Sequence, residues 1–288
     1  MTQLTAYVRG IGLLGPGLDD WTRGAPVLAG VTPFVSCTTV LPPSTALPPA
    51  ERRRTGRVVR LALAIGFEAV SHAGMSAADL PTVFSSSGGD GENCHEICQT
   101  LVSGDRQLSP TRFHNSVHNA ASGYWSIAAA ATPSSSVLCA FDASFGAGLL
   151  EALTQVVVER TPVLLVAYDS GYPEPLRTVR PIPDAFGVAM VLEPVHARAS
   201  TGSLHAFESS RDSAPSDSAA PLCARITVTL TDALPDVLAD NRLEALRVAI
   251  PAARALPLLC KLARAESGRV VLDYLETQRI AVEVSECP

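Results

Sequence analysis

A buried-strand pattern turns sharply into a helix of small residues in the stretch Ser136-Val-Leu-Cys-Ala-Phe-Asp142-Ala-Ser144-Phe-Gly-Ala-Gly148. A hinge between a strand and a helix exposes one side chain at the helix start, where free N–H groups and the helix dipole favour an anion. Such a position suits a nucleophile, because it lowers the pKa of a thiol. Asp142 occupies the hinge here. We expect Asp142 to cap the helix, since aspartate is a preferred N-cap residue worth about 1 kcal/mol.

Two further residues near the hinge carry groups that catalyse reactions in other proteins. Cys139 is the nearest thiol, three residues before Asp142. We expect it to lie within the strand as a small buried hydrophobic residue. Ser144 should pack in the first helical turn, because no base partner is evident for its hydroxyl.

Other segments extend the pattern on both sides of the hinge. They are Gly10-Ile-Gly12, Arg53-Arg-Thr-Gly-Arg57-Val-Val-Arg60-Leu-Ala-Leu-Ala, Ser85-Ser-Ser-Gly-Gly89, Ser109-Pro-Thr-Arg-Phe-His-Asn-Ser-Val-His-Asn119 and Ala185-Phe-Gly187-Val-Ala-Met-Val-Leu-Glu193. In order and spacing, this set resembles the N-terminal half of β-ketoacyl synthases, the thiolase-fold condensing enzymes of fatty-acid and polyketide synthesis. The resemblance covers about the first two thirds of the chain and is more specific than any single glycine pair.

The resemblance implies an α/β, thiolase-like fold with one complete N-terminal βαβαβαββ repeat and a truncated C-terminal part. It places Asp142 where the family has its acyl-accepting cysteine, because the usual Ala-Cys-Ala-Ser string reads Phe-Asp-Ala-Ser here. Family members also use two histidines of the second repeat. The six histidines of this chain are at positions 72, 95, 114, 118, 196 and 205, so both catalytic positions are absent. We therefore predict no catalytic residue.

Homologues that lack the cysteine are known as chain-length factors, which pair with an active ketosynthase and shape its acyl tunnel. Short versions are associated with bacterial aryl-polyene and xanthomonadin-type pigment pathways. The resemblance thus implies a non-catalytic subunit of a heterodimer that also meets an acyl carrier protein. Two alternatives remain: a malonyl decarboxylase or acyl hydrolase using Asp142 with His114 or His118 as base, and a homodimeric stabilising protein.

The resemblance also suggests which residues meet a partner. The loop that contains Phe113 reaches the dimer interface in condensing enzymes, and the strand before the hinge pairs with its counterpart across the interface. The predicted acyl-tunnel or interface residues are Phe113, His114, Val117, His118, Val137, Leu138 and Phe141. Simple interface packing is the alternative for the loop residues.

A cluster of arginines places positive charge where a helix is predicted to begin. A helix start disfavours cations, so this cluster indicates an acidic partner. Acyl carrier proteins are acidic, and a solvated charged face is the alternative interpretation. The predicted carrier-protein docking residues are Arg52, Arg53, Arg54 and Arg57.

Hydrophobic periodicity divides the chain into alternating strands and helices, which favours a mostly parallel sheet with helices on both faces. Strands are predicted at 4–14, 82–86, 136–141, 162–168, 185–193, 225–230, 270–275 and 280–284, and helices from 54 to a stop at Gly74 and at 92–102, 119–131, 143–160 and 256–265. Residues 32–49 should form a loop. We predict a ketosynthase-like repeat at 1–195, a mobile linker at 196–222 and a truncated α/β tail at 223–288 that packs on the repeat.

Composition excludes several classes of function. The net charge of −6 argues against binding nucleic acid, whose phosphates require concentrated cations. We expect no apolar run of the roughly 18 to 20 residues that a membrane span needs, and the start of the chain lacks a secretory signal, so we expect a cytoplasmic protein. The seven cysteines show neither disulfide nor zinc spacing, so we expect reduced thiols, no metal site and no cofactor.

Overall fold

A computed structural model describes residues 3–195 and 223–287. The predicted linker at 196–222, with His196 and His205, lies outside the described residues. The strands are β1 (Leu4–Leu14), β2 (Thr82–Ser85), β3 (Ser135–Leu138), β4 (Val163–Asp169), β5 (Phe186–Pro194), β6 (Ala224–Thr231), β7 (Gly268–Leu272) and β8 (Arg279–Glu286). All eight predicted strands are confirmed, but β3 ends three residues earlier than predicted.

The helices are α1 (Trp21–Leu28), α2 (Pro49–Arg52), α3 (Arg57–Ala73), α4 (Gly91–Val102), α5 (Pro110–His114), α6 (Ala120–Ala129), α7 (Ser144–Glu159), α8 (Leu176–Val179), α9 (Asn241–Ala249) and α10 (Leu256–Ala263). Shorter 3₁₀ turns lie at Ala77–Asp79, Phe141–Ala143 and Pro251–Ala255. Gly74 ends α3 in the left-handed conformation, as predicted. The sequence analysis missed α1, which contains Pro26, and α9, which is too polar for a clear apolar stripe.

One eight-stranded sheet organises the molecule, with the strand order β3-β2-β4-β5-β1-β6-β8-β7. Among residues 3–195 and 223–287, β2 pairs in parallel with β3 and with β4, and the other five pairings are antiparallel. The prediction of a mostly parallel sheet is therefore wrong. The reason is that β5 returns in the opposite direction and inserts between β4 and β1, which separates strands that point the same way.

Helices cover both faces of the sheet. On one face, α3 and α6 enclose a core that contains Trp125, Phe84 and Tyr168. On the other face, α1, α7 and α10 enclose a core that contains Phe145, Phe186 and Leu259. The order β1, α3, β2, α4 to α6, β3, α7, β4, β5 matches the predicted βαβαβαββ repeat.

The C-terminal tail extends the same sheet instead of forming a separate layer. Its strand β6 pairs antiparallel with β1, and β8 and β7 follow outward. The predicted helix at 256–265 is confirmed as α10. The boundaries at 195 and 223 stay a prediction.

Two of the seven cysteines are joined. Cys223 forms a disulfide with Cys287, with a Cα–Cα distance of 5.7 Å. The expectation that all cysteines are reduced is wrong for this pair. The antiparallel pairing of Ala224 with Glu286 brings the two neighbouring cysteines together, although 64 positions separate them along the chain.

One segment, residues 141–159, is long and apolar enough to cross a membrane by length and composition. The expectation that no such segment exists is wrong on those criteria. Half of this segment is buried within the structure, and α7 packs on β2, β4 and the Pro251–Ala255 turn. These contacts are those of a core helix in an α/β protein.

Candidate functional site

The hinge after β3 is a tight turn held by its own serine. Ser144 donates a hydrogen bond from Oγ to the Phe141 carbonyl (2.7 Å) and accepts one from the Ala140 amide (3.1 Å). Phe141 has a φ of +51°, in the left-handed region. A bulky aromatic residue rarely adopts this conformation, so the hinge is a strained turn. The prediction that Ser144 serves the local structure is confirmed by these bonds.

Asp142 does not cap α7. The helix follows Ala143 and has no side-chain cap, so the capping prediction is wrong. The Asp142 carboxylate instead pairs with Arg180 (Nη1 to Oδ1, 2.6 Å) and Arg254 (Nη2 to Oδ2, 3.2 Å). Charge-assisted bonds to two guanidinium groups are stronger than one bond to a backbone amide, which explains the difference. Both arginines lie far from Asp142 along the chain, so no local pattern could reveal them.

Phe141 is the side chain that projects from the hinge. Its exposed fraction is 62%, which is large for an aromatic residue. The guanidinium carbon of Arg180 stacks over its ring at 3.9 Å from the ring centroid. One arginine therefore contacts both Phe141 and its neighbour Asp142.

A buried carboxyl group lies at the end of β4, in the part of the sheet that adjoins the hinge. Asp169 accepts hydrogen bonds from the Ser87 amide (2.9 Å), the Ser87 hydroxyl (2.6 Å) and the Ala252 amide (2.8 Å). Burial raises its pKa to about 6, because desolvation outweighs these three donors. The sequence analysis missed Asp169, although a polar residue at the end of a buried strand is a usable signal.

Cys139 lies beyond the end of β3 and is exposed, so the prediction of a buried cysteine within the strand is wrong. The early end of β3 explains the exposure. Its thiol donates a hydrogen bond to the Ser87 carbonyl (3.1 Å). Cys139 and Asp169 thus both form hydrogen bonds with Ser87.

The segment that was predicted as a tunnel or interface loop lies on the surface, and Phe113 and His114 belong to the short helix α5. Phe113 and Val117 are exposed by 67% and 53%, and His114 is exposed with its ring edge-on to Tyr124. His118 is half-buried, with Nε2 at 3.3 Å from the Ser86 carbonyl oxygen. These residues are therefore accessible to a partner, and their role stays a prediction.

Val137 and Leu138 are half-buried on β3, which is the terminal strand of the sheet. Among the described residues, β3 pairs only with β2, so one side of β3 carries backbone groups without a strand partner. A free strand edge favours pairing with another chain. The geometry is compatible with the predicted interface.

The arginine cluster begins a helix only at Arg57, the first residue of α3, and the prediction is wrong for the other three arginines. Arg52 ends the short helix α2, and Arg53 and Arg54 lie in the turn before Gly56, which caps α3. Arg52 donates to the carbonyls of Thr45 and Leu47, and so holds a loop. The cluster's other contacts are ion pairs from Arg54 to Glu51 (3.3 Å) and from Arg57 to Asp184 (3.4 Å).

An open cavity of about 510 Å³ lies beside this cluster. Its charged lining consists of Arg53, Arg54, Arg57, Arg60, Arg112, Asp90, Glu92 and Glu96. Five guanidinium groups face three carboxyl groups, and burial raises the pKa of Asp90. Arginines therefore outnumber carboxyl groups in the lining, but Arg54 and Arg57 are paired with Glu51 and Asp184 from outside it. Among the described residues, Arg53 is an exposed arginine of the lining without an ion pair.

The family described as "Beta-ketoacyl synthase, N-terminal domain" matches residues 32–235. No curated protein matches the chain. One chain of the ketosynthase ApeO in complex with its chain length factor ApeC, from Xenorhabdus doucetiae, is 22% identical, with a TM-score of 0.69 over 97% of this chain and 99% of that chain.

Matches to two further solved structures cover 99% of this chain and 100% of the matched chain. The ishigamide ketosynthase/chain length factor is 14% identical with a TM-score of 0.66. The AntDE:AntF structure, a type II polyketide synthase acyl-carrier protein in complex with its ketosynthase bound to the hexaketide, is 9% identical with a TM-score of 0.70. At these identities the likeness concerns the fold, and the predicted thiolase-like α/β fold is confirmed.

Proposed function

This chain belongs to the β-ketoacyl synthase N-terminal-domain family, and we propose that it is a non-catalytic, chain-length-factor-like subunit that pairs with an active β-ketoacyl synthase and shapes its acyl tunnel. The observation that carries this proposal is the state of Asp142. It stands where the resemblance places the family's nucleophile, yet two arginines neutralise it. A fold can persist without its chemistry, because function resides in the site.

The chemistry of the hinge supports a non-catalytic role. A carboxylate that is paired with two guanidinium groups is a weak nucleophile, since the ion pairs stabilise its charge. Attack on a thioester would also give an acyl anhydride, which reacts with water too readily to hold a growing chain. Among all residues of the sequence, no histidine follows position 205 that could activate a malonyl unit.

The surface around the hinge supports pairing with another protein. Phe113, Val117 and Phe141 expose large apolar groups, and the edge of β3 offers backbone hydrogen bonds. A soluble chain needs to cover such an edge. We propose that a ketosynthase covers it through an obligate interface that buries more than roughly 2,000 Å², with a homodimer as the alternative.

The arginine-lined cavity supports contact with an acidic carrier protein. Arg53 and Arg54 are exposed at its rim, whereas Arg52 is engaged with a loop. We propose that Arg53, Arg54 and Arg57 form the docking surface and that Arg52 stabilises it from behind. We propose an aryl-polyene or related polyketide or fatty-acid pathway on the resemblance alone, and the cytoplasmic location stays a prediction.

Pairing is tested by co-expression with a candidate β-ketoacyl synthase from the same genome, followed by size-exclusion chromatography. We expect one stable heterodimer, and we expect Val137→Glu to abolish it because a buried charge at the strand edge is not compensated. Val158→Glu, at an exposed position of α7, is the matched control and should still pair. A soluble monomer that ignores the ketosynthase would contradict the proposal.

The enzymatic alternative predicts covalent or decarboxylase chemistry at Asp142. We expect the purified chain to form no acyl adduct by intact mass and to release no carbon dioxide from malonyl carrier protein. An adduct that disappears in Asp142→Ala would establish the alternative instead.

A further inference from the structure

Three charged side chains from separate parts of the chain meet at the hinge. Asp142 belongs to the turn itself, Arg180 follows α8, and Arg254 lies in the Pro251–Ala255 turn of the C-terminal tail. The two arginines are mostly shielded from solvent, with side-chain exposures of 20% and 18%, and Asp142 is partly exposed at 37%. We call this group the hinge clamp. Shielding from solvent strengthens its ion pairs relative to surface pairs.

The hinge clamp holds the backbone of Asp142 as well as its side chain. Arg254 donates from Nη1 to the Asp142 carbonyl (2.8 Å) and from Nη2 to the Asp142 carboxylate (3.2 Å). Ser144 holds the preceding Phe141 carbonyl from the other side. The peptide units on both sides of Asp142 are thus fixed by side chains.

The residue that this fixation affects most is Phe141. Its left-handed backbone is unfavourable for an aromatic residue and persists only where the surroundings enforce it. Arg180 bonds Asp142 and also lies against one face of the Phe141 ring. Phe141 is otherwise largely exposed, and it lies three residues after the end of the terminal strand β3.

We infer that the clamp of Asp142, Arg180 and Arg254 is a positioning device that presents Phe141 as a fixed contact for the partner synthase. This inference rests on the proposed function, because it assigns Phe141 to the interface with that partner. Fixed aromatic side chains at the centre of an interface supply much of the binding energy, since little side-chain freedom is lost on binding. In this interpretation Asp142, at the position of the family nucleophile, holds the conformation of the neighbouring Phe141.

A double-mutant cycle on the co-expressed heterodimer tests the inference. The variants are Phe141→Ala, Asp142→Asn and their combination, and the readout is the Kd of the heterodimer. We expect each single substitution to raise the Kd roughly tenfold or more. The combined variant should bind as Phe141→Ala does, because Asp142 acts through the ring. If Asp142→Asn raises the Kd by the same factor in the wild type and in Phe141→Ala, the inference is overturned.

Hydrogen–deuterium exchange of the chain alone provides an independent readout. Asp142→Asn and Arg254→Gln should accelerate exchange of the amides at 140–145 while the strands keep their protection. Arg177→Gln, an exposed residue on α8, is the control and should change nothing. Unchanged exchange at 140–145 in both clamp variants would show that the clamp does not fix Phe141.

The two readouts separate the inference from the proposed function. A wild-type chain that binds no ketosynthase contradicts the proposed function and the assigned contact together, whereas exchange still decides whether the clamp positions Phe141. A heterodimer that forms with wild-type affinity in Asp142→Asn leaves the proposed function intact and refutes the clamp. Arg254→Gln serves the same comparison if Asp142→Asn does not fold.

Discussion

Asp169 is a buried carboxyl group whose donors come from two distant parts of the chain. Ser87 follows β2, and Ala252 lies in the C-terminal tail. The folded pKa of about 6 exceeds the unfolded value of 3.8, so the folded state binds more protons between these values. The free energy of unfolding should therefore decrease as the pH rises from about 4 to about 6.

The variant Asp169→Asn tests this pH dependence. It removes the titration and places an amide group against three donors, so we expect a loss of roughly 1–3 kcal/mol at pH 4. Because the contribution from Asp169 titration is present only in the wild type, the gap between the two free energies of unfolding should narrow towards pH 7. Urea unfolding at several pH values measures the gap, with the exposed Asp79→Asn as control. A gap that widens with pH would contradict the assignment.

The residues at the hinge mark the limit of what the sequence predicts. The hinge and its resemblance to a nucleophile site could be predicted from local pattern alone. The partners of Asp142 could not, because Arg180 and Arg254 approach it only after β4, α8 and the tail have folded. An N-cap interpretation considers only neighbouring amides, and a distant ion pair can replace it.

Strand β1 and helix α3 are in direct backbone contact at two glycines. A Cβ added to Gly12 would lie 1.9 Å from the Ile65 carbonyl oxygen, and one added to Gly10 would lie 2.1 Å from that of Ala69. Both obstacles are helix backbone, which cannot rotate away as a side chain can. The glycine pair in the sequence pattern is thus explained by direct contact between helix and strand.

Substitution Gly12→Ala should force α3 away from the sheet and lower the free energy of unfolding by at least about 1–3 kcal/mol. Gly123→Ala is the matched control, because that glycine lies exposed in α6 with nothing within 4 Å of its added Cβ. The control should gain roughly 0.5–1 kcal/mol from helix propensity. Urea denaturation measures the free energy of unfolding of both variants. Equal values would show that Gly12 is not needed for the contact between β1 and α3.

Elements with strong periodicity were predicted well, and those decided by long-range pairing were not. The limits of β1 and β4 follow from continuous apolar or alternating residues, and Gly74 stops α3. The position of β5 between β4 and β1 has no local signature, since an antiparallel insertion depends on the whole sheet. Helix α1 was not predicted, although Asp20 caps it, because Gly24 and Pro26 have the lowest helix propensities and usually interrupt a helix.

The Cys223–Cys287 disulfide cross-links the ends of β6 and β8 in the outer half of the eight-stranded sheet. The bond connects the start of β6 to the residue that follows β8, and Arg9 donates to the Cys223 sulfur (3.1 Å) while pairing with Glu193 on β5. A single cluster therefore links the tail to the first repeat. A cross-link that closes 64 residues contributes roughly 4 kcal/mol in the chain-entropy account.

Removing this bond should weaken the tail most, because β6 and β8 are held otherwise by backbone pairing and one packed face. Under oxidising conditions, we expect Cys223→Ser/Cys287→Ser to unfold at a lower urea concentration than wild type, and under reducing conditions the two should coincide. Cys94→Ser, at an exposed free thiol, should match wild type in both. Alkylation of the native oxidised protein after denaturation should label five of the seven cysteines. Seven labelled cysteines would show that β6 and β8 are joined by pairing alone.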